Sequence, residues 1–411
     1  MNTDGAKRLR VLFFSQRFPL PMDTGGKIRT GKMLEGLKKH FDITLLCHFE
    51  SPKDEPYLGQ VKKLCDDFQY VLWKEVFKYS FSFYARVLAW NFSRYPISVK
   101  NDYSRAIEGK IAELVQNREF DLLICDFLQP TLNFRNVMGF PTLLFQHNVE
   151  SMIVKRHFQT ARNAFMKMFW WAQWKKMERF EKKMCQQFNA VVAVSEQDKL
   201  ILQKDFGVPN VHAIPTGVDL IYFSADEKNP QGNSLVFVGA MDWLPNEDAI
   251  VFFARNILPR IRVAIPDVTL TVVGRNPSAY LRRTVEEYPE IRIVGRVEDV
   301  RPYIRQKSVY IIPLRIGGGT RIKVYEAMAM GKAIVSTRVG TEGLPVEHGK
   351  HVLLADQPQE FAKCVIRLLQ DPIVRNEIGR SAREFVETRC GWNEAVKRFS
   401  EICLRVYDEM H

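Results

Sequence analysis

A chain of 411 residues is too long for one compact core and suits two domains of roughly 200 residues each. Hydrophobic residues at 46% and charged residues at 26% exclude a disordered or fibrous class, and no apolar run reaches the roughly 18 residues that a membrane-spanning helix needs. The net charge of +12 is uneven, with 32 Lys and Arg against 23 Asp and Glu over residues 1–220 and 27 against 24 over the remainder, so an anionic partner is expected for the first half: a membrane surface, a phospholipid-type acceptor or nucleic acid.

The first ten residues lead directly into a strand, and the apolar run Val11 to Phe14 is too short for a signal-peptide core. A cytoplasmic protein is expected, free or held at the inner face of the membrane. The seven cysteines are scattered, form no C-x-x-C and have no neighbouring histidines, as in a reducing compartment.

Leu9 to Phe14 reads as a first parallel strand, followed by a loop and by Gly25-Gly26, which opens a helix to about Lys39. Ligands of open parallel sheets sit at the carboxyl ends of strands, so this glycine pair is either a ligand-approach loop or a plain strand-to-helix turn. Ile43 to Cys47 reads as a second strand. The stretch 57–117 shows helical spacing with many aromatics and bases. Residues 121–125 and 142–146 are continuous apolar runs of the doubly wound type, and His147 stands immediately past the second, where a cleft is expected. A lone histidine is more often structural, but that position makes His147 the leading candidate in the first half.

Residues 155–184 carry nine Lys and Arg against two Glu, with Met166, Trp170, Trp174, Met177 and Met184 along one helical stripe. Such a helix suits a membrane interface; alternatively the stripe packs on the sheet while the bases face water. Strands at 190–195 and 211–215 follow, then a polar segment, 224–234, of linker composition. These marks divide the chain into 1–222, 223–390 and a closing helix over 391–411. In the second half, strands at 235–238, 268–274, 291–295 and 309–313 alternate with helical segments, the βαβ rhythm of a second parallel sheet; helices are expected at 358–370, 373–388 and from Trp392 onward.

The most informative stretch is VYIIPLRIGGGTRIKVYEAMAMGKAIVSTRVGT, 309–341. A buried strand runs into Gly317-Gly318-Gly319, and Thr320 stands where a helix N-cap belongs. Arg321 and Lys323 then fall in the first helical turn, where the macrodipole disfavours cations. A bound phosphate would offset that cost, since backbone N–H groups, a glycine loop and two cations would converge on it. Glu326 follows in a small, apolar run and needs a partner; sugar hydroxyls would serve, as would Lys323 at i, i+3.

This stretch resembles the donor-binding helix of the retaining glycosyltransferases of GT-B architecture, family-four type, whose pattern is E-x7-E followed by AMA-x-G-x-P-V-V. Glu326 and the following AMAMGKAIVS match the second half of that pattern, whereas Gly318 stands where the first glutamate belongs and GGGTRIK replaces the commoner E-P-F-G-L-T. Residues 216–219, TGVD, are similar to the family's N-G-V-D. The resemblance implies an α/β protein of two Rossmann-like doubly wound domains, an N-terminal acceptor domain and a C-terminal domain for a nucleotide-diphosphate sugar, with the last helix crossing back to the first domain. It implies donor contacts at Gly25, Gly26, Gly239, Gly317 to Thr320 and the backbone of Ile322, nucleobase contact at Arg296, ribose contact at Glu326, and catalytic roles for His147, Arg321 and Lys323. Ala240 and Asn246 occupy the places of an arginine and a lysine in many relatives, so Arg321 and Lys323 are expected to supply the missing charge. Front-face attack, in which the leaving phosphate helps deprotonate the acceptor, requires no dedicated base; no D-x-D or metal-ligand cluster occurs, and neither cofactor nor metal is expected. The implied partners are the nucleotide-sugar donor and a glycan or lipid-linked acceptor; peripheral contact with an anionic membrane is expected from the composition of 155–184, and nucleic acid is not expected. A nucleotide-sugar epimerase of the same fold and a non-catalytic anion or nucleic-acid binder stay open. A Rossmann oxidoreductase does not fit, because FSQRFPLP after the first strand is no G-x-G-x-x-G loop.

Overall fold

The computed structural model describes residues 8–74, 81–117, 120–161, 163–214, 217–225, 232–316 and 322–411. Two compact units make up the chain, Met1–Thr216 with Trp392–His411, and Gly217–Gly391.

The first unit is a seven-stranded sheet of β1 (Arg10–Ser15), β2 (Asp42–Phe49), β3 (Asp67–Leu72), β4 (Leu122–Asp126), β5 (Thr142–Gln146), β6 (Ala190–Ala193) and β7 (Val211–Ala213), ordered β3-β2-β1-β4-β5-β6-β7. Every pairing is parallel. The central strands are continuous apolar runs because both faces are covered: Val11 and Phe13 point into one buried cluster, Leu12 and Phe14 into the other. Helix α1 (Gly25–Leu37) is capped by Thr24, whose side chain accepts from Lys27 N. Further along come α2 (Phe81–Asn91), α3 (Glu150–Thr160) and α4 (Ala164–Gln187).

The second unit has β8 (Ser234–Val238), β9 (Thr269–Val273), β10 (Ile291–Gly295), β11 (Val309–Ile312), β12 (Ala333–Ser336) and β13 (Leu353–Leu354), all parallel in the order β10-β9-β8-β11-β12-β13. After β8 comes α5 (Leu244–Phe252), and α6 (Ile322–Ala329) follows β11. The final helix, α7 (Trp392–Asp408), belongs to the first unit, where Val396 closes on α1 at Gly36 and Phe399 packs edge-on against Phe145. Strand order reverses between β1 and β4 in one sheet and between β8 and β11 in the other, and the carboxyl ends of strands at such a switch point are where open α/β sheets bind ligands.

Two helical readings are corrected. The stretch 57–117 is not helical throughout, for β3 lies within it as an edge strand with a half-exposed face, and that partial burial hides its period of two among the aromatics. The segment 155–184 is not one helix: α3 and α4 form a hairpin, with α4 restarting at an Asn163 cap whose side chain accepts from Met166 N at 2.7 Å. Its apolar stripe also divides. Met177 and Met184 are core residues under the sheet, Trp170 and Trp174 stack on His157 and Phe158 of α3, and Met166 is exposed.

Candidate functional site

At the switch point of the first unit, β4 ends on Asp126 and His147 directly follows β5. The imidazole Nε2 lies 2.7 Å from Asp126 Oδ1, and Thr30 Oγ1, from α1, donates to Asp126 Oδ2 at 2.7 Å. Burial lowers the His147 pKa, with the Asp126 carboxylate opposing; a neutral ring donates from Nε2 to Asp126 and keeps its lone pair on Nδ1, which is buried with no hydrogen-bond partner. Arg29 is buried beside this pair, and burial draws its guanidinium down to about 10 against the pull of Asp126.

The sequence places His147 facing a cleft, whereas its side chain is only 1% exposed. The reason is Phe127. Its backbone takes a left-handed φ of 72°, its ring lies over the imidazole at 3.8 Å between centroids, and Phe145 covers another side at 4.6 Å. Gly26 makes room for this: a Cβ there would stand 2.9 Å from Phe127 Cζ, too close for the ring to stay. Gly25 and Gly26 are thus the first turn of α1 itself, and Gly26 acts on His147 through Phe127.

In the second unit the strand ends are built from glycine. Gly239 N donates to Val273 O at 2.9 Å, Gly274 N to Gly295 O at 3.0 Å, and Met241 N to Arg275 O at 2.9 Å. A Cβ on Gly274 would sit 1.6 Å from Gly239 O, so no side chain is tolerated where the two turns meet. Asn246, which stands in a cation's place, is occupied structurally, its Nδ2 donating to Ala240 O at 2.8 Å.

On the other side of the β8/β11 switch point stands α6. Ile322 is its first residue and is buried, while Lys323 is solvent-accessible. Protein nevertheless crowds the ammonium, lowering its pKa; Glu326 opposes and Arg275 assists. Glu326, one turn on and partly accessible, has its carboxyl pushed up to about 7, chiefly by desolvation and against the attraction of Lys323. Burial raises the phenol of Tyr310 on β11, and the Glu326 carboxylate adds to that shift. Lys323 and Glu326 do share one helical turn, and Gly239 shares the floor with Gly274 and Gly295. Arg296 follows Gly295 and is exposed. Gly317, Gly318, Gly319, Thr320 and Arg321 lie outside the described residues.

Asp126, Arg275 and Gly274 were not singled out by sequence. A carboxylate closing the apolar run LLICD was a usable signal, and so was the repetition of Gly-Arg after successive strands, at 274–275 and 295–296. Arg275 is felt by Lys323 and pairs with Asp242 at 3.3 Å. Two cations therefore approach one glycine-floored strand edge, an arrangement fitted to an anion.

The raised Glu326 gives a signed pH effect. A folded-state pKa of about 7 against 4.5 means that the folded protein binds this proton more tightly, so the contribution of Glu326 to stability is full below pH 4.5 and is lost as pH rises through 7. Glu326→Gln removes that loss. The variant is expected to gain about 1–3 kcal/mol over the parent at pH 8, the upper figure before screening by water, and nothing at pH 4. Thermal melts at the two pH values check this; an equal shift at both contradicts it.

Both units are similar to known proteins. A model of "Glycosyltransferase Family 4" matches residues 25–221, and one of "Glycosyl transferases group 1" matches 232–371. An uncharacterised 44.6 kDa protein in the cps region of Klebsiella pneumoniae is 21% identical over 92% of this chain and 95% of that protein. A phosphatidyl-myo-inositol mannosyltransferase of Mycolicibacterium smegmatis is 28% identical over 47% of this chain, a match spanning about half of that enzyme, 51%. Among solved structures, sucrose-phosphate synthase from Thermosynechococcus elongatus superposes with a TM-score of 0.74 at 16% identity, covering 98% of this chain and 100% of that one. Anabaena HepE in complex with UDP and glucose does so with a TM-score of 0.68 at 12% identity, covering 96% and 99%. Family models thus match both units, and the paired parallel sheets are those of the solved relatives: the chain is a glycosyltransferase of GT-B architecture.

Proposed function

We propose that this glycosyltransferase is a retaining enzyme that moves a sugar from a nucleotide-diphosphate sugar to a glycan or lipid-linked acceptor in cell-envelope or exopolysaccharide synthesis. The observation that carries the reading is the convergence of Lys323, Glu326 and Arg275 on the glycine-floored edge of the second sheet. The diphosphate would rest at the start of α6 against the backbone N–H of Ile322 and the side chain of Lys323, with Gly317 to Arg321 completing the cradle. Positive groups there neutralise charge as it develops on the leaving phosphate. Ionised Glu326 would accept two ribose hydroxyls, Gly239 would let the donor approach the backbone, and Arg296 would stand by the base. His147, poised by Asp126, would offer its Nδ1 lone pair to a substrate hydroxyl once the Phe127 ring that covers it turns aside. The donor is a co-substrate, and no resident cofactor is assigned.

Support for the donor class comes from HepE, solved with UDP and glucose, and for the acceptor class from the phosphatidylinositol mannosyltransferase and the cps-region protein. The test is turnover with UDP-, GDP- and ADP-sugars. One of them is expected to raise the melting temperature and release nucleoside diphosphate, because a ligand bound only by the native state stabilises it; NMR of the product should show the donor's anomeric configuration retained. An inverted product would remove the retaining assignment. Release of an epimerised nucleotide sugar without a glycoside would establish the epimerase alternative instead.

A further inference from the structure

The hairpin of α3 and α4 has a feature the transferase reading does not use. Buried positions of α4 begin only at Gln173 and then recur at Met177, Phe180, Glu181 and Met184, the 3.6-residue period of a helix packed on a core. Before Gln173 the helix is exposed on most of its circumference. Phe165 is 72% exposed, Met168 64% and Trp171 50%. Scattered exposed apolar residues need no explanation, but three large ones at the end of a projecting hairpin form a patch.

Helix α2 adds to it. Asn91, its last residue, accepts from Gln173 Nε2 at 3.1 Å and from Lys176 Nζ at 2.5 Å, which fixes the end of α2 against α4. Leu88 and Phe92 there are 67% and 84% exposed.

Charge selects the occupant. Of the two acidic residues against nine basic ones in 155–184, Glu181 is fully buried, accepting from the backbone N–H groups of Glu150 and Ser151 at 2.7 and 2.9 Å. Glu178 is tied to Lys175 at 2.9 Å. The exposed surface of the hairpin is therefore cationic. Lys155 and Lys175 bracket the Trp174 ring at 5.2 and 4.2 Å from its centroid, below the apolar tip. Apolar residues at a tip and bases on aromatic rings behind it match the layering of a bilayer, acyl region then anionic headgroups. A second copy of the same cationic tip would be repelled.

We propose that the α3–α4 tip, flanked by the end of α2, inserts shallowly into an anionic lipid surface. This stands independently of the transferase reading. The test is flotation of the full chain with vesicles of phosphatidylcholine alone and of phosphatidylcholine mixed with phosphatidylglycerol. Binding is expected only to the mixed vesicles, weakening as salt rises. Phe165→Ser, Met168→Ser and Trp171→Ser together should weaken it by at least about tenfold, and Lys167→Ser with Arg179→Ser by about tenfold. Melting temperature and donor hydrolysis without vesicles should match the parent, which separates this claim from the catalytic one. Absent or equal binding to both vesicle types, or binding unchanged in the apolar variant, would overturn it. So would a parental dimer that the apolar variant converts to a monomer, since the patch would then be covered by a second copy.

Discussion

Lys323→Met is expected to lower kcat/KM for the nucleotide-sugar donor by about 10²- to 10³-fold, the range for removing one preorganised charge from a developing oxyanion. Among the described residues, protein crowding and Arg275 disfavour the ammonium and Glu326 favours it. A diphosphate arriving there would reverse the balance, since its charge grows as the glycosidic bond breaks while the ammonium stays fixed. The loss should therefore fall on kcat as well as on donor affinity. Lys323→Arg keeps the charge but places a planar fork where a compact ammonium stood, and should recover only part of the rate. Arg275→Ala should cost less, because Asp242 already shares that charge. Steady-state kinetics with purified variants decide the matter; a Lys323→Met enzyme with parental kcat/KM would refute the role.

The second large effect belongs to the first unit. His147→Ala is expected to reduce kcat by about 10²-fold and to destabilise the fold by about 3 kcal/mol, because buried Asp126 would lose its N–H donor at 2.7 Å. His147→Gln separates the two effects. Its amide can still donate to Asp126, so most of the stability should return, but it cannot present the Nδ1 lone pair in the same place, so the rate should not. If His147→Gln restored the rate along with the melting temperature, the imidazole would be a packing residue only.

Much of the architecture was legible in the chain because parallel strands covered on both faces are written as continuous apolar runs; 121–125 and 142–146 read as strands, and β4 (Leu122–Asp126) and β5 (Thr142–Gln146) lie there. β3 was not, because an edge strand with a half-exposed face lacks that signature. The break between α3 and α4 rests on a single Asn163 cap, easily lost among bases and aromatics. At the site, the proximity of Lys323 and Glu326 followed from helical spacing alone. The burial of His147 did not follow, for it depends on the left-handed backbone of Phe127 and the missing side chain of Gly26, two positions about a hundred residues apart in sequence. Arg275 escaped for a similar reason: its relation to Lys323 is set by the order of strands in the sheet, which no local pattern records.

Hydrogen–deuterium exchange of the full chain, with and without the nucleotide sugar that raises its melting temperature, tests the donor site most directly. Slowed exchange is predicted at the start of α6 and in the turns after β8 and β9, around Gly239 and Gly274, and it should vanish in Lys323→Met at the same ligand concentration. Slowed exchange confined to other segments, with these three unchanged, would contradict the placement of the donor.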